Sequence, residues 1–273
     1  MRLRFSYSFR FSRSDLRNVS IRIPIAAEHY AKNLKCHSDY PMKIFTKKGT
    51  IFSQIRFSSL PARVIQWDVD VSVRTLAEVG FGENWGNKEE YLPIDVQRYC
   101  KAETYWEVGT AAIQQAASKI DAADSKEIYS LVSKTFAFVR QSINFPEPQK
   151  DRFGALKALT RRFGDCDEFT DLFITILRTF GIPARRITGI FVRELEAENH
   201  AWAEVLLPRS QHWITMDPAL GYFGQRSKHH FGRKIEDTVS TRNDVMVWWK
   251  EKRSARVKTD AAPPQILEAE ETS

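Results

Sequence analysis

Arg161-Arg162-Phe163-Gly164-Asp165-Cys166-Asp167-Glu168-Phe169 sets a cysteine at the head of an amphipathic helix. Apolar residues follow at Phe169, Leu172, Phe173, Ile176, Leu177 and Phe180, the one-face spacing of a helix. Gly181 and Pro183 stop it. Asp165 supplies the N-cap and Glu168 the N3 partner of a capping box. In that register Cys166 is the first helical residue, and its N–H lacks an intrahelical acceptor, open to an oxyanion. The helix dipole is expected to lower the thiol pKa. Asp165 and Asp167 oppose a thiolate, so the stretch calls for a cation beside the sulfur, and a neighbouring imidazolium would serve. The side chain is expected to face the packed side of the helix. A buried structural cysteine is the competing reading.

Downstream, Ile187 to Val192 is a strand candidate, followed by a polar loop from Glu194 to Asn199. His200 then begins a strand in which His200, Trp202 and Glu204 share one face and Ala201, Ala203 and Val205 the other. Trp213 to Asp217 is the next strand, closed by Pro218. If these strands are antiparallel neighbours, the start of one lies beside the end of the other. His200 and Asp217 then meet at one sheet edge, and a helix N-terminus against that edge completes Cys166–His200–Asp217. In such a set His200 takes the thiol proton and Asp217 fixes the ring. Taken singly, a strand-start histidine is a surface residue and an Asp before Pro a turn former. His229-His230 reads as a surface pair, with a chance metal contact as the alternative.

Upstream, Ile128, Leu131, Val132, Thr135, Val139 and Ile143 form one helix face, with Asp124 and Glu127 as a second capping box and Pro146 and Pro148 after it. Ala111 to Ile120 and Ala155 to Leu159 are shorter helices. From Met1 to about Leu92 the pattern is β: Phe5, Tyr7, Phe9 and Phe11 alternate with polar residues, as do Val19, Ile21, Ile23 and Ile25. Ile44-Phe45, Ile51-Phe52, Ile55 to Phe57 and Val64 to Val73 add further strands, which suggests a sandwich of packing or binding character. The glycine-rich break Gly80 to Gly86 marks the boundary. The expected organisation is α+β: a β-sandwich-like domain over 1–92, a catalytic domain of helices packed on an antiparallel sheet over 93–248, and a disordered charged tail over 249–273.

The chain has 273 residues and a net charge of +7. Its excess arginines lie partly in the first strand, without a nucleic-acid motif or phosphate loop, so the charge reads as solvated surface and no nucleic-acid partner is expected. Three scattered cysteines, Cys36, Cys100 and Cys166, make neither a disulfide framework nor a zinc site. No calcium loop of the EF-hand type is present. No apolar run approaches membrane-spanning length. The expectation is a cytoplasmic protein without metal, cofactor or membrane partner; the oligomeric state is left open.

Residues Ala155 to Leu220 resemble the transglutaminase-like superfamily, a papain-like group of cysteine acyl-transfer enzymes, in a bacterial or archaeal form. The resemblance rests on Arg162 to Glu168, Leu177 to Gly189, Asn199 to Val205 and Trp213 to Pro218. It implies Cys166 as nucleophile, His200 as general base and acid, and Asp217 as orienting carboxylate, on a protein or peptide substrate. It also implies a second oxyanion donor upstream. Gln141, Asn144, Trp106 and Trp85 are candidates, with Gln141 taken first. Trp202 is a candidate to shield the site or contact substrate; packing is the alternative. The leading reading is a thiol acyl-transfer enzyme cleaving amide bonds, protease-like or deamidating, with cross-linking as the other fate of the acyl-enzyme. The rivals are a deglycosylase-type amide hydrolase and a binding module with a vestigial triad.

Overall fold

Strict alternation drives the first third of the chain into two layered sheets. The protein is described here by a computed structural model covering residues 1–74, 84–121, 125–145, 151–193, 196–224, 229–236, 246–250, 255–261 and 265–268. Six strands come first: β1 (Arg2–Phe11), β2 (Arg17–Ala27), β3 (Ala31–His37), β4 (Met42–Lys47), β5 (Thr50–Ser59) and β6 (Val64–Val73). In β1 the residues Leu3, Phe5, Tyr7, Phe9 and Phe11 are all buried while their neighbours are not, as a period of two requires. A short turn at Glu28–Tyr30 links β2 to β3. Five helices follow: α1 (Pro93–Tyr99), α2 (Ala111–Ile120), α3 (Ile128–Ser142), α4 (Ala155–Arg161) and α5 (Cys166–Thr179). The remaining strands are β7 (Ala184–Arg193), β8 (Glu196–Leu206), β9 (Trp213–Asp217), β10 (Tyr222–Phe223), β11 (His230–Glu236), β12 (Met246–Trp248), β13 (Val257–Ala261) and β14 (Gln265–Glu268).

Helix α5 packs on the antiparallel sheet β10-β9-β8-β7-β11 and α2, α3 and α4 pack against α5, which confirms the α+β expectation. The apolar stripe of α3 is buried as its spacing predicted, from Ile128 to Ile143. Of its expected capping box only Glu127 is among the described residues, and it stands at the N-cap and not at N3. The helix starts after Glu127, which becomes the N-cap without a side-chain cap. Asp124, Pro146, Pro148, Glu194 and the break from Gly80 to Glu83 lie outside the described residues.

Two expectations are corrected. The tail is not disordered over its described residues: β13 and β14 pair with β1, and β12 just ahead of the tail pairs with β2. The first strand has β6 on one side, and its other edge would otherwise expose a row of unpaired N–H and C=O groups. Closing that edge outweighs the local charge of the tail. Further, His200 does not begin a strand. β8 extends back to Glu196, because Glu196 to Asn199 pair with β7 out to Arg193. Backbone pairing overrides the polar composition there.

The two halves share a core. Ile187, Ile190, Val192, Trp202 and Phe231 of the helix-backed sheet are buried with the N-terminal sandwich residues. Two sheet glycines make this possible. A methyl group on Gly189 would run into the Phe231 carbonyl and the Trp202 ring, and one on Gly232 would meet the Tyr30 ring and Ile187. Tyr30 and Trp202 fill the room so left. Trp202 Nε1 donates to the Tyr30 hydroxyl at 2.8 Å, and that hydroxyl donates to Glu204 at 2.9 Å. Glu204 also receives His29 at 2.7 Å and the Arg185 guanidinium at 2.6 and 2.8 Å. Burial opposes its charge, but His29 and Arg185 outweigh it and hold the carboxyl well below the usual range.

Candidate active site

The turn before α5 is fixed by the backbone. Asn144 accepts from the Gly164 N–H and donates its own N–H to Arg162, both at 3.0 Å, which ties the end of α3 to the loop entering α5. Gly164 has no room for a side chain against Glu168. The capping box is formed as expected: Asp165 accepts from the Asp167 N–H at 2.9 Å, and Glu168 accepts from the Asp165 N–H at 3.2 Å. Glu168 also accepts from the Phe153 N–H at 2.9 Å. Burial pushes its carboxyl up to about 7. A carboxyl raised above its unfolded value favours folding below that value, and the benefit is lost as pH rises through 7. Glu168→Gln, which copies the protonated acid, should flatten the stability profile between pH 5 and 8. Glu168→Ala leaves two N–H groups without acceptors and should cost about 2 kcal/mol. Chemical denaturation across that pH range checks both.

Cys166 is the first residue of α5, with its sulfur 4.0 Å from Asp167 Oδ1. One turn on, Thr170 donates to the Ala201 carbonyl at 3.1 Å, which packs the head of α5 on β8 beside His200. The thiol is not lowered. Burial pushes it up to about 12, Asp167 and Asp165 add to the rise, and Arg186 opposes it. The first turn's carboxylates and the partial burial of Cys166 outweigh the helix dipole and favour the thiol. A base must remove its proton during attack.

The expected base, His200, is positioned by strand pairing. Residues Ala203 and Met216 pair across β8 and β9, and the ladder continues to Leu206 and Trp213. Asp217 therefore ends β9 opposite Trp202, and His200 stands one pleat beyond on the same face. His200 Nε2 meets Asp217 Oδ2 at 2.8 Å, leaving Nδ1 for a proton transfer. Asp217 is fully buried, yet hydrogen bonds from His200 and His230 override burial and hold it well below the usual carboxylate range. Its Oδ1 accepts the Leu220 N–H at 3.0 Å.

Two residues here escaped the sequence reading. His230 is fully buried, with Nε2 3.0 Å from Asp217 Oδ2, so the surface assignment of that histidine is wrong. No local signal showed that β11 would pair with β7 and carry His230 inward. The second is Arg186 of β7. Its Nη2 binds Asp167 Oδ1 at 2.5 Å, and its other nitrogens reach Asp171 and Glu236 at 3.6 Å. Burial works against the Asp167 carboxylate, but Arg186 overrides it and holds the group below its ordinary value. The cation that the acidic turn called for is therefore an arginine as well as any imidazolium.

The oxyanion candidates are placed differently. Gln141 is exposed and lines a groove of about 420 Å³ with Gln115, Leu159 and Arg162, and neither Cys166 nor His200 borders it. Trp106 is fully buried and donates to Asp171 at 2.8 Å. Trp85 stacks on Phe223 at 5.8 Å. Trp202 is 0% exposed, stacked beside His200 and edge-on to His230, so it packs the site from below. The donor atoms of His200, Asp217 and His230 lie within 4.8 Å of one another, a geometry open to a metal ion, but hydrogen bonds already satisfy the carboxylate. No helix among the described residues is long and apolar enough to cross a membrane.

Comparison with known proteins agrees with this architecture. Residues 112–218 match the model of the transglutaminase-like superfamily. Over 153 residues, half of this chain, it is 29% identical to the uncharacterized protein YebA of Bacillus subtilis, covering 20% of that protein. Over 93 residues, 33% of this chain, it is 27% identical to a peptide-N(4)-(N-acetyl-beta-glucosaminyl)asparagine amidase of Kluyveromyces lactis, covering 24% of it. The chain thus spans under a quarter of the length of these curated relatives. Among solved structures, a candidate cysteine protease from Cytophaga hutchinsonii superposes with a TM-score of 0.58 at 15% identity, over 100% of this chain and 93% of that one, which shows a shared fold. Over residues 112–218, then, the chain carries a core that matches the transglutaminase-like superfamily.

Proposed function

We propose that the protein is a thiol-dependent amide hydrolase acting on proteins or peptides, with Cys166 as nucleophile, His200 as general base and acid, and Asp217 as its orienting carboxylate. The observation that supports this reading is the His200 Nε2–Asp217 Oδ2 contact at 2.8 Å on the strand where α5 docks, Thr170 donating to Ala201 at 3.1 Å. His200 Nδ1 takes the thiol proton as sulfur attacks the carbonyl carbon. The Cys166 N–H at the open end of α5 faces the developing oxyanion. His200 then returns the proton to the leaving nitrogen, and water, deprotonated by the same ring, releases the acyl group. Arg186 keeps Asp167 compensated, so that the acidic turn does not block sulfur attack. Hydrolysis is favoured over amine transfer because water needs no binding site. A narrower reading, release of the glycan-bearing side-chain amide of asparagine, is supported by the similarity to the Kluyveromyces lactis amidase.

Mass spectrometry of peptide and glycopeptide mixtures incubated with the enzyme, with and without a primary amine, separates these fates. New peptide termini mark a protease and a one-unit gain at Gln or Asn a deamidase. Glycan loss with Asn becoming Asp marks the glycosyl-amide reading. Amine adducts that displace hydrolysis would replace the proposal with transfer. An unchanged mixture after a broad panel, with an unreactive Cys166, would overturn it.

A further inference from the structure

Resting on that reading of the site, we propose that His230 is a positioning residue that acts on His200 through Asp217 and weakens the hold of His200 on a proton. Asp217 Oδ2 is shared, with His200 Nε2 at 2.8 Å and His230 Nε2 at 3.0 Å. An ionised carboxylate only accepts, so each ring must point an Nε2–H at it. The two rings arrive from different strands, His200 from β8 and His230 from β11 at the sheet edge. His230 is 0% exposed and caged edge-on by Trp202 at 4.8 Å, Phe191 at 4.9 Å and Tyr222 at 5.1 Å. That cage leaves the ring no room to turn away.

The direction of the effect does not depend on the charge of His230. A neutral His230 spends part of the Asp217 charge on its own hydrogen bond, so less remains to stabilise a His200 imidazolium. A protonated His230 adds direct repulsion about one carboxylate oxygen away. Both lower the proton affinity of His200. Since Cys166 rests as a thiol, the competent base is neutral His200, and His230 extends the range of pH over which it is neutral. Among the described residues, the other polar or charged groups facing this pair include Tyr222 from β10, His229 beside His230, the Tyr30 hydroxyl beyond Trp202, and Asp167 of α5, on which His200 acts electrostatically and which Arg186 of β7 compensates.

The test is a nitrogen-15 NMR titration of histidine-labelled full-length protein as wild type, His230→Phe and His230→Gln. Phe fills the aromatic cage without a donor, and Gln restores a neutral N–H. His230→Phe should raise the His200 midpoint by about one pH unit and Gln should return it to within about 0.3 unit of wild type. The acid limb of Cys166 alkylation by iodoacetamide should move by the same amount. A merely structural role would lower stability and leave these midpoints unmoved. An unshifted or lowered midpoint in the Phe variant overturns the proposal. So does a wild-type spectrum showing the His230 proton on Nδ1, a readout that survives even if the Phe variant does not fold. Neither measurement uses an amide substrate, so failure here leaves the hydrolase reading untouched, and failure to find a substrate leaves the titration intact.

Discussion

Cys166→Ala is expected to reduce amide turnover by about four to six orders of magnitude, to the level left by substrate binding alone. His200→Ala should cost nearly as much, and the double variant no more than either single one, because nucleophile and base act as a unit. Asp217→Ala should cost about 10⁴-fold and also weaken the fold, since it leaves two imidazoles without their acceptor. The raised thiol adds a pH signature. With Cys166 pushed up to about 12, activity should not require a preformed thiolate. Single-turnover kinetics on any substrate found by mass spectrometry would check this. Cys36 and Cys100 are raised by burial and lie outside the triad, so alkylation controls are best run with both replaced by serine. Turnover retained by the alanine variant at position 166 would remove the mechanism.

Arg186→Met is expected to destabilise the protein by about 3–5 kcal/mol, more than any surface charge on the chain. Beneath the turn, Asp167, Asp171 and Glu236 face Arg152, Arg186 and Lys234. Arg152 binds Asp171 at 2.6 Å, Lys234 binds Glu236 at 3.0 Å, and Arg186 touches all three carboxylates. Methionine fills the volume but leaves one negative charge of the cluster unmatched, with half-buried Asp167 beside the sulfur losing its closest partner. The carboxyl groups freed of Arg186 should rise in pKa, so the penalty is largest at neutral pH and shrinks as pH falls through their titration. Denaturation at pH 5 and pH 8 would show the difference. The same variant should slow Cys166 alkylation, since it removes the cation that opposes the acidic turn. Equal stability at both pH values would show that Arg186 is not the compensating charge.

Local pattern was enough wherever a short-range rule decided the outcome. The helix that begins at Cys166, its capping box, the buried stripe of α3 and the alternation of β1 all follow from neighbours within four residues. The pairing of His200 with Asp217 was also legible, because two adjacent strands joined by a short connection form a hairpin with a readable register. Strand ends were not. Glu196 to Asn199 look like loop by composition, and only their partner β7 makes them strand.

The sequence by itself determined the reactive turn, the order of cysteine, histidine and carboxylate, and the α+β class, since each depends on periodicity and capping over a few residues. Tertiary structure alone decided four things: the burial that lifts the thiol, Arg186 beneath it, His230 on Asp217, and the tail strands that close the edge of β1. All four arise between residues far apart in the chain or from the loss of solvent. Pairing distant strand edges and excluding water are properties of the assembled core, and no window of sequence carries them.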